Sequence, residues 1–113
     1  MSGKKSKEKG KRGERELAKE LSELLGVDAR RGQQFAGSPE SPDVVGIPGI
    51  HVECKRTEKF SLYDSLEQAI DDAGDDIPVV MHRRNRKDWV IVARLDDLPE
   101  LCERIRTVLD GED

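Results

Sequence analysis

The chain has 113 residues, 35% of them hydrophobic and 39% charged. That length suits one compact domain and is short for two, and so lean a core favours burying more surface by dimerisation. The formal net charge of −4 at pH 7 speaks weakly against a polyanion partner, but the charges are unevenly placed, and local fields guide a polyanion more than the sum does.

No apolar run approaches the roughly 20 residues a membrane-crossing helix needs. Cys54 and Cys102 lack metal-ligand spacing, and nothing resembles a signal peptide. Both are therefore expected to be reduced packing residues in a soluble, cytoplasmic protein.

The first stretch is basic. Lys4, Lys5, Lys7, Lys9, Lys11, Arg12 and Arg15 face only Glu8 and Glu14. With no apolar residue after Met1, residues 1–11 are expected to form a flexible basic arm in front of a single domain over 12–113. From Gly13 the pattern turns helical: Leu17, Leu21, Leu24 and Leu25 share one face, and Gly26 suits the left-handed position that ends a helix. Glu14, three residues before Leu17, falls on that same inward face. It is either an ordinary first-turn acid favoured by the helix dipole or part of a site.

Residues 27–31 read as a short strand ending in Arg30 and Arg31. A polar loop over 32–42 follows, carrying Gln33, Gln34, Phe35 and Ser38. Arginines and amide donors are what phosphate recognition uses, and a solvated loop is the plainer alternative. Residues 43–47 and 50–55 read as strands joined through Pro48-Gly49. Ser61 opens a second helix with Leu62, Leu66, Ala69, Ile70 and Ala73 as its stripe, closed by Gly74. Residues 77–82 and 89–94 form a hairpin whose basic tip holds Arg83, Arg84, Arg86 and Lys87. A last helix starts near Asp97 and carries Leu101, Ile105, Val108 and Leu109. The predicted order is αβββαββα, an α/β fold.

The chemistry concentrates in the middle hairpin. Alternate strand residues share a face, so Glu53 and Lys55 project together, as does His51, while Cys54 points away. Alone, Glu53 and Lys55 would read as a surface ion pair, and a lone His51 is a poor ligand candidate. A two-residue turn at Pro48-Gly49 would pair Asp43 with Cys54 on the wrong face, whereas a longer connection or a bulge would set Asp43 level with Glu53 or Lys55. Pro48 disfavours the tightest turns, so the longer connection is expected. Two carboxylates and an ammonium would then converge, a set suited to Mg²⁺.

Pro42-Asp43, nine residues, then Glu53-Cys54-Lys55 resembles the PD-(D/E)xK nuclease motif. The helix before it and the helix after it match the restriction-endonuclease-like αβββαβ core, a mixed central sheet flanked by helices. The resemblance covers roughly residues 11–94. The small size and the Lys-Gly-rich start before Glu14 look most like archaeal-type Holliday junction resolvases and their phage relatives.

The resemblance implies a Mg²⁺-dependent DNA endonuclease, with Mn²⁺ as a substitute, acting as a homodimer on four-way junctions in a prokaryotic or phage-infected cell. It implies Glu14, Asp43, Glu53 and Lys55 as the catalytic set, with metal held by Asp43, Glu53, the Cys54 backbone carbonyl and Glu14. It also implies DNA contacts from Arg30 and Arg31, to which the loop residues Gln33, Gln34 and Ser38 and the basic Lys11 and Arg12 are added. Gln68, on the helix after Lys55, fills a position where several branches carry a Gln. The alternatives are a nuclease of the same fold acting on ends, flaps or ordinary duplex, and a DNA-binding protein without catalysis.

Overall fold

A computed structural model describes residues 2–32 and 41–111, with the side chains of 2–8 left aside. The helices are α1 (Ser2–Leu25), α2 (Leu62–Ala73) and α3 (Leu98–Leu109), and the strands are β1 (Arg30–Arg31), β2 (Val44–Val45), β3 (Ile50–Arg56), β4 (Ile77–Arg83) and β5 (Val90–Val92). A 3-10 turn, Leu95–Asp97, leads into α3. The order is the αβββαββα expected.

Among the described residues the strands form one mixed sheet in the order β1-β2-β3-β4-β5. Only β3 and β4 run parallel, along Ile50↔Ile77 to Arg56↔Arg83, and the other neighbours are antiparallel. A parallel pair needs a crossover, and α2 supplies it.

Alternation along β3 divides two cores. Val52 and its β4 partner Val79 are fully buried in a cluster with Leu17, Ala18 and Leu21 of α1 and Leu101 and Val108 of α3. The next pair, Glu53↔Val80, turns to the other face, where Val80 packs against Leu66 and Ala69 of α2. Helices thus cover both faces of the sheet.

Several elements differ from expectation for identifiable reasons. Helix α1 begins at Ser2 and so includes the basic run assigned to a flexible arm. That expectation rested on the lack of apolar residues. Propagating an existing helix costs far less than nucleating one, and Lys and Glu are good helix formers. Strand β1 is shorter than 27–31 because the Ser22 hydroxyl accepts from the Ala29 N–H at 2.9 Å and donates to its carbonyl at 3.1 Å, removing Ala29 from the ladder. Strand β2 stops at Val45 because Gly46 leaves extended geometry at φ 101°. Leu24 is 70% exposed and not on the packed stripe, and Leu62 and Leu109, at helix ends, are exposed as well. Cys102 is exposed too, so it is no packing residue, whereas Cys54 packs against the main core.

Gly46 opens the connection that sets the hairpin's register. A Cβ there would lie 2.5 Å from the Asp28 carbonyl oxygen, on a backbone that L-residues rarely adopt. Gly46→Ala is expected to destabilise the protein by about 1–3 kcal/mol, read as a lowered urea midpoint with an unchanged slope; an unchanged midpoint contradicts this reading.

Candidate active site

The hairpin resolves the question of register. Val44 pairs with Val52, and Gly46 to Gly49 form the connection, longer than a two-residue turn. Asp43 straddles the position of Glu53: its N–H donates to the Val52 carbonyl at 2.9 Å, and its Oδ2 accepts from the Cys54 N–H at 2.8 Å. The Asp43 and Glu53 carboxyl groups are near enough for the Glu53 charge to bear on Asp43. A strand residue projects its N–H and C=O to the same side, so the Cys54 carbonyl also faces the β2 side, beside the two carboxylates.

Glu14 is brought towards this pair by α1, which crosses closely over β3. The approach needs Gly13, where a Cβ would stand 2.5 Å from the Arg56 Cβ. The Glu14 Oε1 accepts from Arg31 Nε at 2.7 Å. Arg31, expected at DNA, therefore has a partner inside the chain. Arg30 is exposed and within 4.0 Å of the exposed Asp28.

The electrostatics follow from burial. Glu53 is only 6% exposed. Asp43 is pushed up from 3.8 to about 7, first by its own burial and next by the Glu53 charge; the Cys54 N–H opposes this, while contact with Glu53 and the Glu14 charge add to it. Burial, with the charges of Asp43, Glu14 and Glu16, pushes the Cys54 thiol up, and Lys55 acts the other way.

Each of the three carboxylates has one oxygen tied to a protein donor. Arg31 holds Glu14, the Cys54 N–H holds Asp43, and His51 Nε2 lies 2.7 Å from Glu53 Oε1. The sequence signal for His51 is only its shared face with Glu53, which does not reveal this contact. Among the described residues no three His, Cys, Asp or Glu side chains are gathered into a ready metal cage. Mg²⁺ does not need one, since it binds through one or two carboxylates and keeps water and substrate phosphate as further ligands. A buried carboxylate, Glu53, beside the half-buried Asp43 fits that donor set.

The other predicted residues are placed as follows. Lys11 and Arg12 are exposed on α1, and Gln68 is exposed on α2, off its buried face of Ser65, Leu66, Ala69 and Ala73. Gln33, Gln34 and Ser38, with Phe35, lie outside the described residues. A groove beside α1 is lined by Lys9, Arg12, Arg56 and Asn85; Arg56 had gone unremarked, though it directly follows the motif. The hairpin tip is partly neutralised, since Arg83 pairs with Glu16, which also accepts from the Trp89 indole.

The raised Asp43 predicts a stability profile. The neutral carboxyl stabilises the fold fully below about pH 3.8, and that contribution is lost as pH rises through about 7. In EDTA the melting temperature is expected to fall across this window, and Asp43→Asn is expected to flatten the fall. Parallel profiles for the two proteins in a thermal scan contradict the assignment.

Comparisons with known proteins agree with this geometry. A solved structure of Archaeoglobus fulgidus Hjc, a Holliday junction resolvase from an archaeal hyperthermophile, superposes with a TM-score of 0.56 at 27% identity, covering 73% of this chain and 73% of that one. No curated protein matches the chain. The family model described as phage putative PDDEXK endonuclease matches residues 5–109. The chain belongs to this family of phage PDDEXK endonucleases.

Proposed function

We propose that the protein is a Mg²⁺-dependent endodeoxyribonuclease that resolves four-way DNA junctions as a homodimer. The observation that carries this reading is the pair of neighbouring carboxylates, half-buried Asp43 and buried Glu53, with Lys55 two residues beyond Glu53 on the same strand. Asp43 and Glu53 would hold the metal, with the Cys54 carbonyl beside them and Glu14 as a further carboxylate. Mn²⁺ would serve in its place.

Held by these carboxylates, a divalent cation would supply Lewis acidity towards the scissile phosphate and a lowered pKa for an attacking water. The chain's own groups do the rest. Lys55, two residues after Glu53 on the same face of β3, would orient water or stabilise charge on the phosphate. The Cys54 N–H and His51 hold the carboxylates in place while charge develops. Lys9, Arg12 and Arg56 line a groove for phosphate contacts, with Lys11 and Arg30 exposed nearby in sequence. Such contacts position DNA without reading its sequence.

Junction preference is supported by the likeness to the archaeal resolvase. Phage membership supports action in the cytoplasm of an infected cell, and among the described residues no helix is long and apolar enough to cross a membrane. For the homodimer, an apolar groove of Leu17, Leu21, Leu24, Met81, Trp89 and Ile91 offers a surface that a second copy would cover. Leu24, Val90 and Ile91 are each more than half exposed there.

Asp43→Asn and Glu53→Gln are each expected to lower Mg²⁺-dependent cleavage by at least about 100-fold while the proteins still fold and bind DNA; full activity in both rejects the site. Cleavage of a four-way junction is expected to exceed that of duplex, flap and single strand, and equal rates on all substrates reject the resolvase reading. In light scattering, Leu24→Glu with Ile91→Glu is expected to convert a dimer to a monomer; a variant that remains dimeric rejects this surface.

A further inference from the structure

His51 is a buried titratable group that the proposed chemistry does not use directly. It is 2% exposed, on the same strand face as Glu53, and its Nε2 lies 2.7 Å from Glu53 Oε1. An isolated imidazole so deeply buried would cost free energy, and so would an isolated carboxylate; the contact offsets both. That alone would describe a structural pair.

The placement says more. Along β3 the side chains of His51, Glu53 and Lys55 follow one another on one face, and in the ladder His51 lies opposite Pro78 while Lys55 lies opposite His82. His51 thus meets Glu53 from the N-terminal side of the strand, and Lys55 follows on its C-terminal side. Asp43 reaches Glu53 from the neighbouring strand. One carboxylate oxygen is thereby anchored on the interior side, and the group's orientation about its last torsion, otherwise soft, is fixed.

We infer that His51 is a positioning residue: it holds Glu53 Oε1 so that the carboxylate presents its remaining oxygen, together with Asp43, to a divalent cation. The inference rests on the metal-nuclease reading above. Groups that bond to a metal-holding carboxylate orient it, and their loss lowers metal affinity even though they never touch the ion. Asp43 has the backbone N–H of Cys54 for this purpose. Glu53 has His51, so the pair depends on one backbone and one side-chain anchor.

The test is Mn²⁺ affinity of the DNA-free protein by calorimetric titration, beside cleavage at increasing Mg²⁺. His51→Leu is expected to weaken Mn²⁺ binding about 10–100-fold, with cleavage recovering towards the parent rate at high Mg²⁺. His51→Gln, which keeps a donor within reach, is expected to retain most of the affinity. Should the Leu variant fail to fold, His51→Asn, polar but too short to reach Oε1, replaces it with the same expected loss. In a Glu53→Gln background His51→Leu is expected to have no further effect on Mn²⁺ binding.

Leu or Asn variants that bind Mn²⁺ as tightly as the parent overturn the inference, and so does an equal loss in the Glu53→Gln background. A parent that binds no Mn²⁺ overturns the reading of the site itself, an outcome distinct from both.

Discussion

Two neighbouring carboxylates, Glu53 buried and Asp43 half-buried, form the constraint around which this domain is arranged. Burial disfavours the charge on Asp43 and the Glu53 charge adds to this, so the Asp43 carboxyl is pushed up to about 7. A fold tolerates such a pair only where its surroundings hold the groups in place. The hairpin register brings them together, the Cys54 N–H and His51 hold one oxygen on each, and the repulsion that remains is what a divalent cation would relieve.

The scaffold beneath is correspondingly rigid. The parallel pair β3 and β4 lies at the centre of the sheet, with Val52, Val79 and Val80 wholly buried between α1 and α3 on one side and α2 on the other. Glu53 and Lys55 therefore stand on a central strand, where geometry is held most closely, and Asp43, just before β2, is tied to that strand through its N–H and its carboxylate. Helix α1 adds Glu14 from outside the hairpin, an approach that depends on the missing side chain at Gly13. Its bond to Arg31 keeps that carboxylate on the β1 side of the site.

Much of this was legible in the residues. Glycine and proline punctuation gave the order of elements, and the expected longer connection or bulge does bring Asp43 level with Glu53, although Pro48-Gly49 sit at the centre of a tight turn closed by the Ile50 N–H on the Ile47 carbonyl. What stayed hidden depended on contacts distant in sequence. Ser22 takes Ala29 out of the β1 ladder, a side-chain bond that propensity does not register. The basic start of α1 read as an arm because composition reports burial, while helix propagation needs none. The bond from Arg31 to Glu14 joins residues 17 apart, which spacing does not reveal. His51 has no spacing partner of its own, and only its burial against Glu53 sets it apart from any other histidine in a strand.

Cys54 carries a consequence of its own. Its backbone serves the site, but its side chain packs into the core on the opposite face, where burial and nearby carboxylates keep the thiol protonated. Peroxides and disulfides attack the thiolate and not the thiol. A cysteine in the middle of this strand is thus chemically quiet, and oxidants would meet the exposed Cys102 first.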